Sequence, residues 1–197
     1  MNKDLLFTIL IAIALLIGVL TFFLIGKPMT TALTLTSNSL KTGDIPRTYT
    51  CDGENISPHV SWNKLDNANL KSYVLIVDDP DAKQVVGHTF VHWIVLLPPT
   101  STELVEGISY NGSSKLLTEH ANAKELNNHF GYTYYGGPCP PHGTHKYRFT
   151  LFATSEPLDA MNTEFFTKPF NADDFRTHMG SKIIAESSIT GTYTRNR

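Results

Sequence analysis

Three carboxylates, Asp78, Asp79 and Asp81, fall within four residues directly after the apolar run Ser72–Val77. At a strand end such groups repel one another unless a cation or several hydrogen-bond donors stand beside them. Further on, His92 lies in the middle of an apolar stretch, where an imidazole is either buried against a partner or lines a cavity. A third cluster begins at Tyr135-Gly136-Gly137-Pro138-Cys139-Pro140-Pro141-His142-Gly143-Thr144. Its prolines fix φ and remove donors while its glycines relax the backbone, so it is neither helix nor central strand. It feeds His145 and Tyr147 onto one face of the β-pattern that follows. Imidazole N–H and phenol O–H groups donate to anion oxygens, and a carboxylate behind a histidine fixes its tautomer. Each feature also has an ordinary reading: a solvated acidic turn, a core histidine satisfied by a carbonyl, a tight turn with an edge histidine.

The elements that must position these groups are mostly strands. Leu33 and Leu35 alternate with Thr34 and Thr36 as in an outer strand, and Trp62 starts or flanks another. Ser72–Val77 is apolar on both faces, which predicts a central strand covered on both sides. His88–Leu97 is a second such run; simple alternation puts His88, Phe90, His92 and Ile94 on one face and Val91, Trp93 and Val95 on the other. A weak helical pattern spans Lys115–Leu126. Asn171 reads as an N-cap with Asp174 three residues on and Gly180 closing a short helix. Ile183–Tyr193 reads as a last strand with a break at Gly191. Many strands with regular turn signals predict a mainly β, sandwich-like domain over residues 33–197.

Ahead of that domain, Leu5–Ile25 is an uncharged apolar run of 21 residues, between a flank at 1–4 and a tether at 26–32. As a helix it spans about 30 Å, the thickness of a bilayer core. It exceeds the ~7–15 apolar residues usual in a cleaved signal peptide, although Thr30-Thr31-Ala32 would serve as a weak cleavage site. The expectation is one transmembrane signal anchor and a domain exported to the periplasmic or extracellular face. A net charge of −2 provides no global basic field for nucleic acid. Cys51 and Cys139 are the only cysteines: in an oxidising compartment they would form a disulfide, in a reducing one two buried thiols.

Assembled in order, these segments resemble the phosphatidylethanolamine-binding protein family, in its bacterial, Raf-kinase-inhibitor-like branch. The likeness rests on Tyr49-Thr50-Cys51-Asp52-Gly53 with Ser57-Pro58 and Trp62, on Asp79-Pro80-Asp81-Ala82 with His92-Trp93, on Asn128 and Gly131 leading to Gly137-Pro138-Cys139-Pro140-Pro141 and His145-x-Tyr147, and on Gly191-Thr192-Tyr193. The resemblance implies two packed antiparallel sheets and a small anion pocket for phosphate-bearing head groups, phosphorylated residues or small carboxylates. It assigns Asp79, Asp81, Phe90, His92, Pro140, His145 and Tyr147 to that pocket, with no cofactor and no metal. In one respect the chain departs from the family: Lys83 stands where a proline, often in a cis bond, usually follows Asp-Pro-Asp-Ala. A non-proline cis bond costs ~2.5–4 kcal/mol, so the Ala82–Lys83 bond is expected to be trans.

Three functions follow. The first is a non-catalytic binding module for a small phosphate- or carboxylate-bearing ligand, held at the membrane by residues 5–25. The second is a regulator of the kinase- or peptidase-inhibitor kind. The third, a metal-dependent hydrolase, is disfavoured: His88 and His92 would lie ~13 Å apart along a strand, and no HExxH or Gly-x-Ser-x-Gly motif is present. His145→Ala is expected to remove phosphate binding and leave the fold intact.

Overall fold

The computed structural model describes residues 32–40, 42–110 and 112–196. The expected membrane span at 5–25 and most of its tether lie outside these residues. Among the described residues no helix is long and apolar enough to cross a membrane. In chain order the strands are β1 (Leu35–Thr36), β2 (Val60–Trp62), β3 (Ser72–Asp79), β4 (Phe90–Leu97), β5 (Glu103–Leu104), β6 (Ser109–Tyr110), β7 (Ser113–Ser114), β8 (Lys124–Leu126), β9 (Gly143–Thr154) and β10 (Ile183–Arg195). The helices are α1 (Lys83–Val86), α2 (Leu116–Glu119) and α3 (Ala172–Met179).

The doubly apolar run becomes the middle of an antiparallel sheet ordered β10-β9-β3-β4-β8. Every residue of β3 is buried, including Asp78 and Asp79, so the strand runs two residues further than its apolar stretch. On one face Tyr73, Leu75, Val77, Trp93, Val95, Phe149 and Leu151 pack with Leu35, Val60, Trp62 and Leu104 of the small β1-β2-β5 sheet. On the other, Val74, Ile76, Ile94, Leu96 and Phe152 pack with Phe166, Phe170, Phe175 and Met179, from the segment around α3. The sandwich is therefore uneven: a five-stranded sheet covered by a three-stranded one on one side and by a short C-terminal helix on the other. Both clusters lie wholly within residues 32–197, which form a compact unit with a core of their own.

α3 starts as its sequence predicts. The Asn171 side chain accepts from the N–H groups of Asp173 and Asp174, and Asp174 accepts in return from the Asn171 N–H, while Gly180 ends the helix. Three expectations need correction. The stretch from Lys115 to Leu126 holds only the single turn α2 and then β8, which pairs with β4. β4 begins at Phe90, leaving His88 outside it. Gly191 does not break β10, which pairs with β9 from Ile183↔Thr154 to Arg195↔Gly143. Its glycine is needed because Ile45 lies against the strand there: a Cβ at Gly191 would come within 2.6 Å of Ile45 Cγ1.

Candidate functional site

The β3–β4 register runs evenly to Val77↔Trp93 and then jumps to Asp78↔Val91. His92 is the extra residue of this β-bulge. Bulges re-aim side chains at sheet ends, and this one overturns the alternation expected from sequence. Val91 joins Ile94 and Leu96 in the core beneath α3, while His92 turns to the face of Tyr147, with ring centroids 5.2 Å apart and nearly perpendicular planes. Its Nδ1–H donates to Gly136 O at 2.7 Å, leaving Nε2 as the ring nitrogen available to a ligand. The His92 carbonyl accepts from Gly136 N and Asn128 Nδ2, which fastens the proline-rich loop to β4.

The acidic turn is resolved by giving each carboxylate separate donors. Asp78, fully buried, takes a two-pronged bond from Arg148 Nε and Nη2 (2.9 and 2.8 Å) and one from Ala172 N. Asp79 accepts from Ala82 N at 3.0 Å and from His145 Nδ1–H at 2.7 Å, both side chains being buried. Asp81 accepts from Lys146 N at 2.8 Å and so docks the turn onto β9. No peptide bond among the described residues is cis, so Ala82–Lys83 is trans as expected.

These elements enclose a cavity of about 220 Å³. Of the residues expected there, Asp79, Phe90, His92, Pro140, His145 and Tyr147 line it; Asp81 does not, being spent on the Lys146 N–H. Val85, Val86 and Phe130, which sequence reasoning missed, complete the wall with Ala82, Cys139 and Pro141. Phe130 sits between Asn128 and Gly131, both singled out by the family resemblance. Asn128 shapes that loop, donating to Tyr134 O and accepting from the N–H groups of Phe130 and Tyr132. Cys139 is disulfide-bonded to Cys51, with Cα atoms 5.4 Å apart. Behind it, a Cβ at Gly137 would collide with Tyr49 O and Asn55 Oδ1, so only glycine allows the loop this close.

The Tyr147 hydroxyl is buried and makes no hydrogen bond of normal length and angle, although the Asp79 carboxylate lies near enough to interact with it. Burial, aided by the nearby Asp79 carboxylate, raises its pKa far above the usual phenol value, so it stays a donor. Two larger depressions lie elsewhere, one about 600 Å³ beside Phe165 and His178, the other about 720 Å³ beside Lys124 and Leu158. Neither is lined by a residue with a buried unpartnered polar atom. Among the described residues no three His, Cys, Asp or Glu side chains converge as a metal-binding group.

Burial lowers the pKa of His92, and likewise of His120 and His129; at His129 repulsion from His88 and His92 adds to it. The fold thus favours the neutral form of these rings, whereas the unfolded chain binds protons below about pH 6.5. Above that pH the two states bind equal numbers of protons and there is no penalty; below it the unfolded chain binds more and stability falls. The urea midpoint is expected to drop between about pH 7.5 and about pH 5.5, and His92→Gln, which cannot titrate, should lessen the drop.

The sequence matches the phosphatidylethanolamine-binding protein family over residues 36–194. It is 41% identical to a UPF0098 protein of Aquifex aeolicus over 166 residues, 81% of this chain and 87% of that one. A UPF0098 protein of Methanothermobacter thermautotrophicus is 37% identical, over 78% of this chain and 92% of its own length. Among solved structures, Escherichia coli YbcL, described as a member of the mammalian family of the same name, superposes with a TM-score of 0.66 at 28% identity, covering 84% of this chain and all of its own. A homologue from Chlamydia trachomatis gives 0.65 at 31%, over 84% and 99%. A shared architecture and sequence kinship across nearly the whole of the described domain show that this chain belongs to the phosphatidylethanolamine-binding protein family.

Proposed function

We propose that this chain is a non-catalytic binding module whose cavity holds the phosphoryl group of a small ligand or head group, and that residues 5–25 tether it to a membrane. The observation that carries this reading is the unpartnered Tyr147 hydroxyl, buried in a cavity that His92 and His145 also line. A buried hydroxyl without a partner costs roughly 1–3 kcal/mol, and an anion oxygen is the acceptor it lacks. Both imidazoles commit Nδ1 to the protein, so each meets a ligand through Nε2. A phosphoryl oxygen binds a protonated Nε2; an unprotonated one accepts from a ligand P–OH. Bound phosphate therefore shares a proton with at least one ring.

The volume supports a head group rather than a whole lipid. The one hydroxyl lining the cavity is a phenol kept protonated by burial, which disfavours a covalent phosphoryl intermediate on it. Calorimetric titration with O-phosphorylethanolamine tests the proposal: one saturable site is expected, and no heat at millimolar ligand would refute it. Tyr147→Phe separates function from stability. It should weaken binding by about tenfold or more, the worth of a hydrogen bond to a charged group. The same change removes an unsatisfied buried hydroxyl, so the urea midpoint should hold or rise. A variant that bound normally would show that the phenol is not a ligand donor.

A further inference from the structure

The Cys51–Cys139 disulfide touches both the cavity and a cation. Cys139 forms part of the cavity wall together with Pro140 and Pro141. Arg195 Nη1 donates to its sulfur at 3.2 Å and to Pro140 O at 3.4 Å, while Nη2 is held by Asp52 Oδ1 at 2.8 Å. Tyr193 Oη donates to the other oxygen of Asp52 at 2.9 Å, so the carboxylate that steadies the guanidinium is itself fixed. Across the cavity stand His92 and Asp79, the latter tied to His145. Neither cysteine belongs to a core cluster and neither is fully buried; Cys51 opens a turn in which Gly53 and Glu54 are exposed. The loop ahead of Cys139 is tied down without the bridge. Gly136 N donates to His92 O, Gly137 N to Asn55 Oδ1 and Cys51 N to Pro138 O. What the bridge adds is a hold on Cys139 and on the two prolines of the wall after it.

We propose that Cys51–Cys139 is a thiol-exchange site, opened by a dithiol with Cys139 as the leaving thiolate beside Arg195, and that opening it frees the cavity wall and weakens ligand binding; the coupling to ligand rests on the reading of the cavity as a phosphoryl site. A leaving sulfur departs faster the better its negative charge is stabilised, and a guanidinium against it does this. The contact with Arg195 therefore sets the direction of attack. The dithiol's thiolate attacks Cys51 Sγ and forms a mixed disulfide there. The bond between the two protein sulfurs breaks, and its electron pair leaves on Cys139 Sγ, against Arg195 Nη1. The dithiol's second thiolate then attacks the dithiol sulfur of the mixed disulfide and expels Cys51, which takes a proton from water. The dithiol ends as a cyclic disulfide, two electrons poorer, and the protein holds two reduced cysteines.

The test uses residues 32–197, which contain both cores, and excess dithiothreitol, with free thiols counted over time by alkylation and mass. Arg195→Gln should open at least about threefold more slowly than wild type, and Arg195→Lys, which keeps the cation, should lie closer to the wild-type rate. An arginine that only packed the loop would loosen the bridge on removal, so equal or faster opening in Arg195→Gln overturns the proposal. A second measurement needs no change at Arg195. In the reduced wild-type domain, iodoacetamide labelling read separately at each cysteine should reach its half-maximal rate at a lower pH for Cys139 than for Cys51; an equal or reversed order overturns the proposal. The reduced domain should keep its circular dichroism, since neither core contains a cysteine. Unfolding on reduction would make the bridge a structural staple and overturn the proposal too. Calorimetry with O-phosphorylethanolamine on the oxidised and reduced forms reads the coupling. Severalfold weaker binding on reduction is expected, and equal binding refutes the coupling. No binding by either form refutes the cavity reading, while the opening rates still judge the exchange site.

Discussion

His145→Ala is expected to reduce affinity for O-phosphorylethanolamine by about a hundredfold or more, beyond what one neutral hydrogen bond accounts for. His145 supplies a ring nitrogen to the cavity and also satisfies Asp79 Oδ2 through its Nδ1–H. Truncation removes both and leaves a buried carboxylate with Ala82 N as its remaining donor, so the pocket turns from anion-accepting to anion-repelling. The fold should survive but not unharmed: the residue is buried, and the unpaired carboxylate should cost roughly 1–3 kcal/mol of stability. The sheet does not depend on it, because His145 pairs with Tyr193 through the backbone and belongs to neither core cluster. His145→Gln provides the control, since its amide can donate to Asp79 while removing the imidazole. Calorimetry on both variants, with urea unfolding in parallel, should show binding lost in both and most of the stability returned by glutamine. Undiminished affinity in either would exclude the residue from the site.

The largest effect on stability should come from Arg148→Met. Arg148 lies next to Tyr147 on β9 but faces the other way, where its guanidinium holds Asp78 and also meets Asp173 at the start of α3. Asp78 is fully buried, and its guanidinium partner in turn has its pKa raised, chiefly by that hydrogen-bonded carboxylate. Removing the cation strands the Asp78 charge between two cores and loosens α3 from β3, which should cost about 3–5 kcal/mol. Arg148→Met combined with Asp78→Leu should recover much of this, because two apolar side chains leave no orphaned charge. Urea unfolding of the single and double variants measures both. A loss below about 1 kcal/mol in the single variant would mean that the pair behaves as an exposed one.

Much of this architecture was readable in the chain, and what was not has definite physical causes. The two-sided apolar run after Ser72 announced a central strand, and Asn171, Asp174 and Gly180 marked α3, because those signals are local. His145 and Tyr147 shared a face as alternation predicts, since β9 is regular there. His92 did not follow its strand's alternation: the bulge depends on how β4 registers against β3, which no window of β4 alone contains. Gly191 looked like a break because its reason, Ile45, is far away in sequence. Val85, Val86 and Phe130 escaped notice because a four-residue helix and an irregular loop carry no periodicity. Only the family pattern hinted at the last of them, through Asn128 and Gly131. Cys51 and Cys139 were the sole candidates for a bridge, but whether they met depended on two loops packing through Gly137.

In the proposed binding mode the Tyr147 hydroxyl, His92 and His145 receive one phosphoryl group. A crystal structure of residues 32–197 soaked with O-phosphorylethanolamine tests it most directly. The phosphoryl group is expected inside the 220 Å³ cavity, with oxygens within hydrogen-bonding distance of Tyr147 Oη and of Nε2 on both imidazoles. A ligand bound elsewhere, or a cavity still empty at saturating ligand with Tyr147 Oη unpartnered, would contradict it.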